Sequence, residues 1–171
     1  VSDTEPRSGS DPPLNALLLA LVAGVVAVDL ALAVATPAST QPVRLLLAGC
    51  AACVPLLGLA AGVVHRPAYA VGAVLSAPLV VIYAYTGLIL PWTQLSFTLG
   101  QVGLELLLGV PVVGEPAALG LFGGFTLGQA TLEQAFRFHY ALVGIGGLAS
   151  VAAVAAVGLR RGPGLTGSAS R

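Results

Sequence analysis

Two stretches of this chain run the width of a bilayer without a single charge. After Arg44 the next Asp, Glu, Lys or Arg is Arg66, and between Arg66 and Glu105 there is none. Chain of that kind needs a solvent that makes no demand for polarity, and about 20 apolar residues suffice to cross the hydrocarbon of a membrane as a helix. Lipid offers backbone N–H and C=O groups no partner, so a single span without strand alternation must be helical. Composition agrees: 57% of residues are hydrophobic and 8% charged, against about 25% charged in soluble domains. The formal net charge is zero, which leaves no basic footprint for nucleic acid. The first partner the sequence implies is the lipid bilayer.

Proline and polar residues cut the chain into four spans. Leu14 to about Thr36 is the first, ended by Pro37 and Ser39-Thr40-Gln41. Val43 to His65 is the second, with Pro55 inside and Arg66-Pro67 behind it. Tyr69 to Leu90 is the third, closed by Pro91-Trp92, and its Tyr83, Tyr85 and Trp92 suit an aromatic belt. Leu132 to Leu159 is the fourth, with Gly144, Gly146 and Gly147 permitting close helix approach. Residues 1–13, rich in Pro and Ser, are expected to be a disordered tail. Their acidic front and the long apolar run behind them do not read as a signal peptide. Residues 14–160 form the membrane domain, and 161–171 a Gly/Ser-rich tail. The fold class is an all-α membrane protein, a four-transmembrane-helix bundle with short surface helices between helices 3 and 4. His65-Arg66 and Arg160-Arg161 fall on one side, and the long connection carries Glu105 and Glu115 but no Lys or Arg. The positive-inside rule then makes both termini cytoplasmic.

The connection and its flanks, Gly87 to His139, hold the most specific pattern. Pro91 stops a helix, and Gly109, Pro111, Gly114 and Pro116 divide the residues beyond it into short pieces. Val102 to Leu108 reads as a short helix with Glu105 turned to water. Phe97, Leu106-Leu107-Leu108 and Phe122 suggest pieces lying along the membrane surface and offering apolar area to a neighbour. Gly87, Leu90-Pro91-Trp92, Gln94, Ser96-Phe97, Leu106-Leu107, Pro111, Gly114, Gly123-Gly124-Phe125, Ala130-Thr131-Leu132, Phe136, Phe138 and His139 stand in one register. In that register the stretch resembles the N-terminal half of cytochrome b and cytochrome b6, the membrane subunit of bc-type quinol-oxidising complexes. The likeness covers the family's helix C, the cd connection and the start of helix D.

The resemblance implies two haems b between helices B and D, each ligated by one histidine from each helix. His139 falls on the outer ligand position of helix D, while Ala153 stands where the second should be. On helix B, Arg44 falls where the family has an arginine on a haem propionate, and the two ligand positions read Leu47 and Ala61. Trp92, Gln94 and Phe97 match a region beside the quinol-oxidation site, so quinone is a further implied ligand. The implied protein partners are a chain bearing the C-terminal half of cytochrome b, which these 171 residues lack, and a Rieske iron–sulfur protein. A prokaryotic cell membrane is the expected location. The chain is at most one subunit of a quinol oxidoreductase and has no catalytic residue of its own.

Histidine supply limits the haem chemistry. His65 closes a span on the side opposite the entry of His139, which puts them on the order of 20 Å apart. Two axial ligands of one iron sit about 2 Å from the metal each, so no bis-histidine haem forms within one copy. Lysine and methionine are absent. Cys50, a turn from Leu47, is the one soft ligand at a suitable depth; otherwise His139 holds a five-coordinate haem or is a buried relic hydrogen-bonded to a neighbour. Cys50-x-x-Cys53 lacks a second pair or a nearby histidine for a metal shell and reads as small packing residues. Asp29 lies roughly 10 Å inside the first span. It is either a proton-relay or quinone-contacting carboxylate or the partner of Arg44. Two functions are open: a subunit of a bc-like complex with degenerate haem sites, or a haem-free structural or assembly subunit of one. In the second case Gly49, Gly58, Ala61, Gly62 and Gly144 to Gly147 are expected to let helices B and D close over the lost haems.

Overall fold

The fold is seen in a computed structural model, which describes residues 12–35 and 40–160. The described residues form six helices, in the order α1 (Pro12–Val34), α2 (Gln41–Val64), α3 (Pro67–Ile89), α4 (Gln94–Leu108), α5 (Gly114–Phe122) and α6 (Gln129–Arg160). Four helices are long and apolar enough to cross a membrane: Leu14–Val34, Gln41–Val64, Pro67–Ile89 and Gln129–Gly158. The tails expected at 1–13 and 161–171 lie outside the described residues, except that Pro12 and Pro13 already open α1.

Helices α1 and α2, α2 and α3, α3 and α6, and α6 and α1 pack as neighbours, so the four spans close into a ring. Large apolar side chains point outward around it. Leu46, Leu56, Val63, Val74, Leu75, Leu148 and Val151 are all exposed, the arrangement lipid allows and water does not.

The tightest seam runs between α2 and α3. A methyl group added at Gly58 would lie 2.9 Å from the Ala73 Cβ, so the two backbones meet across it. This departs from the sequence reading of the small residues. Gly58 and Gly62 face α3, Gly146 and Gly147 face Val26 of α1, and Gly49 and Gly144 have nothing within 4 Å of an added Cβ. None of these glycines draws α2 onto α6. The reason is rotational: Gly58 and Gly62 of α2 face Ala73 and Ala70 of α3.

The connection is more regular than its Gly and Pro content suggests. Pro91 ends α3, and Trp92 takes a left-handed backbone with φ 51°, while its N–H bonds the Ile89 carbonyl at 3.0 Å. The Thr93 hydroxyl then caps α4 by accepting the Ser96 N–H at 3.3 Å. Helix α4 therefore starts at Gln94, well before the expected Val102, with Glu105 exposed as expected. Gly100 and Gly103 inside it weaken its helical signal. They are present because α4 lies directly on Leu127 and Tyr85.

Helix α5 packs on α4 and α6 and ends at Gly123, whose φ of 74° is left-handed and whose added Cβ would lie 2.8 Å from that of Ala130. Both facts require glycine there. Beneath, Leu104, Ala118 and Phe122 form a buried cluster with Tyr85, Leu107 and Leu127 around it. Phe122 is thus 5% exposed and meets the Tyr85 ring edge-on at 6.2 Å. The expectation that Phe122 offers surface to a neighbour is overturned: it is the core of the connection. Phe97 and Leu106, at 43% and 71% exposure, do face outward.

Phe122→Asp should accordingly lower stability by at least about 3 kcal/mol, through a lost aromatic side chain and a buried charge. Phe97→Asp should stay within about 1 kcal/mol. Thermal unfolding in mild detergent checks this, and equal midpoints for the two variants would contradict the packing of α5.

Candidate functional site

Each spanning helix brings one inward stripe to the centre of the ring. On α6 the buried residues Thr131, Ala135, His139 and Val143 recur every fourth position, which is one helical face. On α2 the buried stripe runs from Arg44, Leu47 and Ala51, which face the centre, to Pro55, Gly58 and Ala61, of which Gly58 meets α3. Helix α3 adds Tyr83, Thr86 and Gly87. Helix α1 contributes Asp29, which has no exposed surface at all.

These stripes converge on His139. Its Nε2 lies 2.8 Å from Oδ2 of Asp29 and 3.3 Å from Nη1 of Arg44. The Tyr83 hydroxyl donates to the same Asp29 Oδ2 at 2.6 Å. Arg44 Nη1 stands 3.6 Å from the other oxygen, Oδ1, closing an ion pair. On the far side of the ring, Nδ1 is 3.1 Å from the Tyr83 carbonyl and 3.2 Å from the Thr86 hydroxyl oxygen. A carbonyl only accepts, and the Thr86 hydroxyl donates to Ile82 O at 2.7 Å. Nδ1 is therefore the donor on that side.

The imidazole is clamped by shape as well. It stacks on the Tyr83 ring with centroids 4.7 Å apart and planes 17° from parallel. A Cβ added at Gly87 would come within 2.7 Å of His139 Cε1, so α3 rests on the ring edge. Asp29, Arg44, Leu47, Ala48, Tyr83, Ala84, Gly87 and His139 enclose no space large enough for one water molecule. The Asp29 carboxylate meets both the Arg44 guanidinium and the His139 imidazole there without water. Removing either partner of such a pair typically costs about 3–5 kcal/mol, because the other charge stays buried.

The structure thus brings together three residues singled out in the sequence, Asp29, Arg44 and His139, and joins to them Tyr83, Thr86 and Gly87. Of the two readings of Asp29, the partnership with Arg44 is present, extended to His139 and Tyr83. Tyr83 is not the belt residue that its place near the end of a span suggests. The rotation of α3, which turns both Tyr83 and Thr86 inward, decides this, and the sequence carries no separate signal for it. Leu47 and Ala61 are buried on the α2 stripe, and Ala153 is half-buried on α6. Cys50 is exposed and does not reach His139, nor does the exposed His65. Trp92 and Phe97 meet edge-on at 6.3 Å on the outer surface, with Gln94 exposed beside them.

A four-helix membrane bundle with a helical connection between α3 and α6 and a sealed histidine centre is the class these observations define. The sequence profile of the family described as Cytochrome b/b6/petB matches residues 52–157, more than half of the chain. The chain belongs to the cytochrome b/b6 family. It is 42% identical to cytochrome b of Acanthamoeba castellanii over 62 residues, which is 36% of this chain and 16% of that protein. It is 39% identical to cytochrome b of Marchantia polymorpha over 79 residues, 46% of this chain and 20% of that protein. With cytochrome b of Solanum tuberosum it shares 41% identity over 64 residues, 37% and 16% of the two chains. The matches span a fifth or less of the length of these curated relatives. No solved structure matches the chain significantly.

Haem b is the group this family normally carries. His139 keeps one half of what an axial ligand requires, since a metal-bound histidine anchors its other nitrogen on a carbonyl or carboxylate, as Nδ1 does on Tyr83 O. The other half is taken. Where Nε2 would meet iron it meets Asp29 Oδ2, Leu47 supplies no ligand from α2, and the space is closed. The residues in this arrangement do not fit a haem.

A double-mutant cycle tests the ion pair. Asp29→Leu or Arg44→Leu alone should each cost about 3–5 kcal/mol, and the two together should fall short of the sum by at least about 1.5 kcal/mol. Additive losses in thermal unfolding would show that the two charges do not interact.

Proposed function

We propose that this chain is a haem-free structural membrane subunit of a bc-type electron-transfer complex. The observation that carries the reading is the 2.8 Å contact between His139 Nε2 and Asp29 Oδ2, inside a centre with no room for water. In a histidine that served iron, that nitrogen would face an open coordination position. Family membership supplies the complex; the buried cluster supplies the departure from haem chemistry. In place of two cofactors between helices, the bundle is locked by an ion pair, a tyrosine and a stacked imidazole.

As such a subunit the chain carries no catalytic step alone. Its partners are a membrane chain bearing the C-terminal half of cytochrome b or a fuller cytochrome b, and a Rieske-type protein. The outer connection is the docking region, with Trp92, Phe97, Val102, Leu106 and Val112 as exposed apolar area. The distribution of arginines along the sequence supports an outside connection and cytoplasmic termini.

Mild-detergent purification through a tag on Arg171 tests the reading. A second, cytochrome-b-like or Rieske-type chain should accompany the protein. Any haem band in the preparation should be unchanged by His139→Ala, because the haem would belong to the partner. A low-spin b band at one haem per copy of this chain, lost in His139→Ala, would overturn the haem-free assignment. A lone, monodisperse chain would overturn the subunit role.

A further inference from the structure

Below the polar cluster the ring of helices does not close. A cavity of about 180 Å³ lies between α1, α2, α3 and α6. Its inner wall is Val22 and Val26 of α1, Ala51 and Val54 of α2, and Leu142 and Val143 of α6. Only two hydroxyl-bearing side chains border it, and both are engaged elsewhere. Ser76 donates to Ala73 O at 3.1 Å, and Tyr83 donates to Asp29. Water in a cavity needs two to four polar partners, whereas apolar voids of about 150 Å³ stay dry and accept benzene or xenon. The Tyr83 ring is the partition: one face stacks on His139, and the residue also lines the cavity.

The cavity has a mouth. Of its lining residues, Leu79 on α3 and Ile145 on α6 are 47% and 57% exposed. Both stand near the midpoints of their helices, Pro67–Ile89 and Gln129–Arg160. The opening between α3 and α6 therefore faces the middle of the hydrocarbon layer, where only acyl carbon is available at high concentration. Headgroups are too far from that depth, and a polar ligand would find no partner in the wall.

We propose that this mid-bundle cavity is a binding site for a hydrocarbon chain, a lipid acyl tail entering laterally between α3 and α6. The tail fills volume that the inward stripes of α2 and α6 leave open, and it packs against Tyr83 from the side opposite His139. This assignment is separate from the haem-free reading, and its test reads lipid contact, not haem.

The test uses the full chain in nanodiscs of phosphatidylcholine carrying a photoreactive diazirine at mid-chain, with labelled residues mapped by mass spectrometry. Inward Val54, Leu142 and Val143 should be labelled together with outward Leu75 and Leu148. A second lipid with the diazirine beside the headgroup should leave the inward set unlabelled. Ala51→Leu, which fills part of the cavity with a branched side chain, should reduce inward labelling at least about fivefold and leave outward labelling intact. Absence of inward label in the unsubstituted protein with the mid-chain probe would overturn the proposal, and this arm needs no variant to fold. Equal inward labelling by both lipids, or inward labelling indifferent to Ala51→Leu in a folded variant, would overturn it as well.

Discussion

The carboxylate of Asp29 holds this bundle together. Neighbouring helices in the ring pack side by side, but α1 and α3 stand across it from one another, as do α2 and α6. Asp29 spans the first diagonal through Tyr83, and Arg44 and His139 are tied across the second because both hold the Asp29 carboxylate. Both diagonals cross at one ion pair. Near the other end, the Tyr69 hydroxyl donates to Asn15 at 2.8 Å, a lesser tie between α1 and α3. In lipid, helices gain little from apolar contact alone, because acyl chains are as apolar as leucine. A shared polar centre, costly to open in hydrocarbon, is what gives α1 a fixed place. Among the described residues of α1, Asp29 alone has a fully buried side chain.

On the proposed haem-free reading, the same centre ties the helices of a cytochrome b family bundle together in place of a cofactor. Three residues of the register read in the sequence have visible duties: Gly87 rests against the imidazole, Trp92 follows the proline stop, and Gly123 makes a turn that only glycine fits. The space between α2 and α6 is filled unevenly. Toward the connection it is filled by Asp29, Arg44, Tyr83 and His139. Toward the middle of the membrane it is left as an apolar cavity. The glycines of α2 do not draw it onto α6, because Gly58 and Gly62 face α3.

Much of this is legible in the sequence, and the reasons are uneven. Two spans come from charge-free runs and the other two from long apolar runs cut by proline and polar residues, since hydrocarbon tolerates few charges. The register from Trp92 to His139 comes from residues with backbone duties, Gly123 among them. Arg44 stands out as a partner of Asp29 because few charges are available. Tyr83 does not: in sequence an inward tyrosine and an interfacial one look alike, and only the rotation of α3 separates them. The direction of the α2 glycines is hidden for the same reason. The burial of Phe122 escapes because α5 is too short to show a clear apolar face. The start of helix α4 is masked because Gly100 and Gly103 mimic loop residues when the neighbour that requires them is not visible.

The central claim is that Asp29 occupies the position at His139 Nε2 where a cofactor's iron would sit. The chain has two histidines, so a ¹⁵N spectrum of histidine-labelled protein in nanodiscs resolves His139 once His65→Ala has assigned the other. In the unsubstituted protein both ring nitrogens of His139 should show hydrogen-bonded, diamagnetic signals. Asp29→Asn should move the Nε2 resonance while Nδ1, held by the Tyr83 carbonyl, and the nitrogens of His65 stay in place. An Nε2 signal indifferent to Asp29→Asn, or broadened away by ferric iron, would contradict the account.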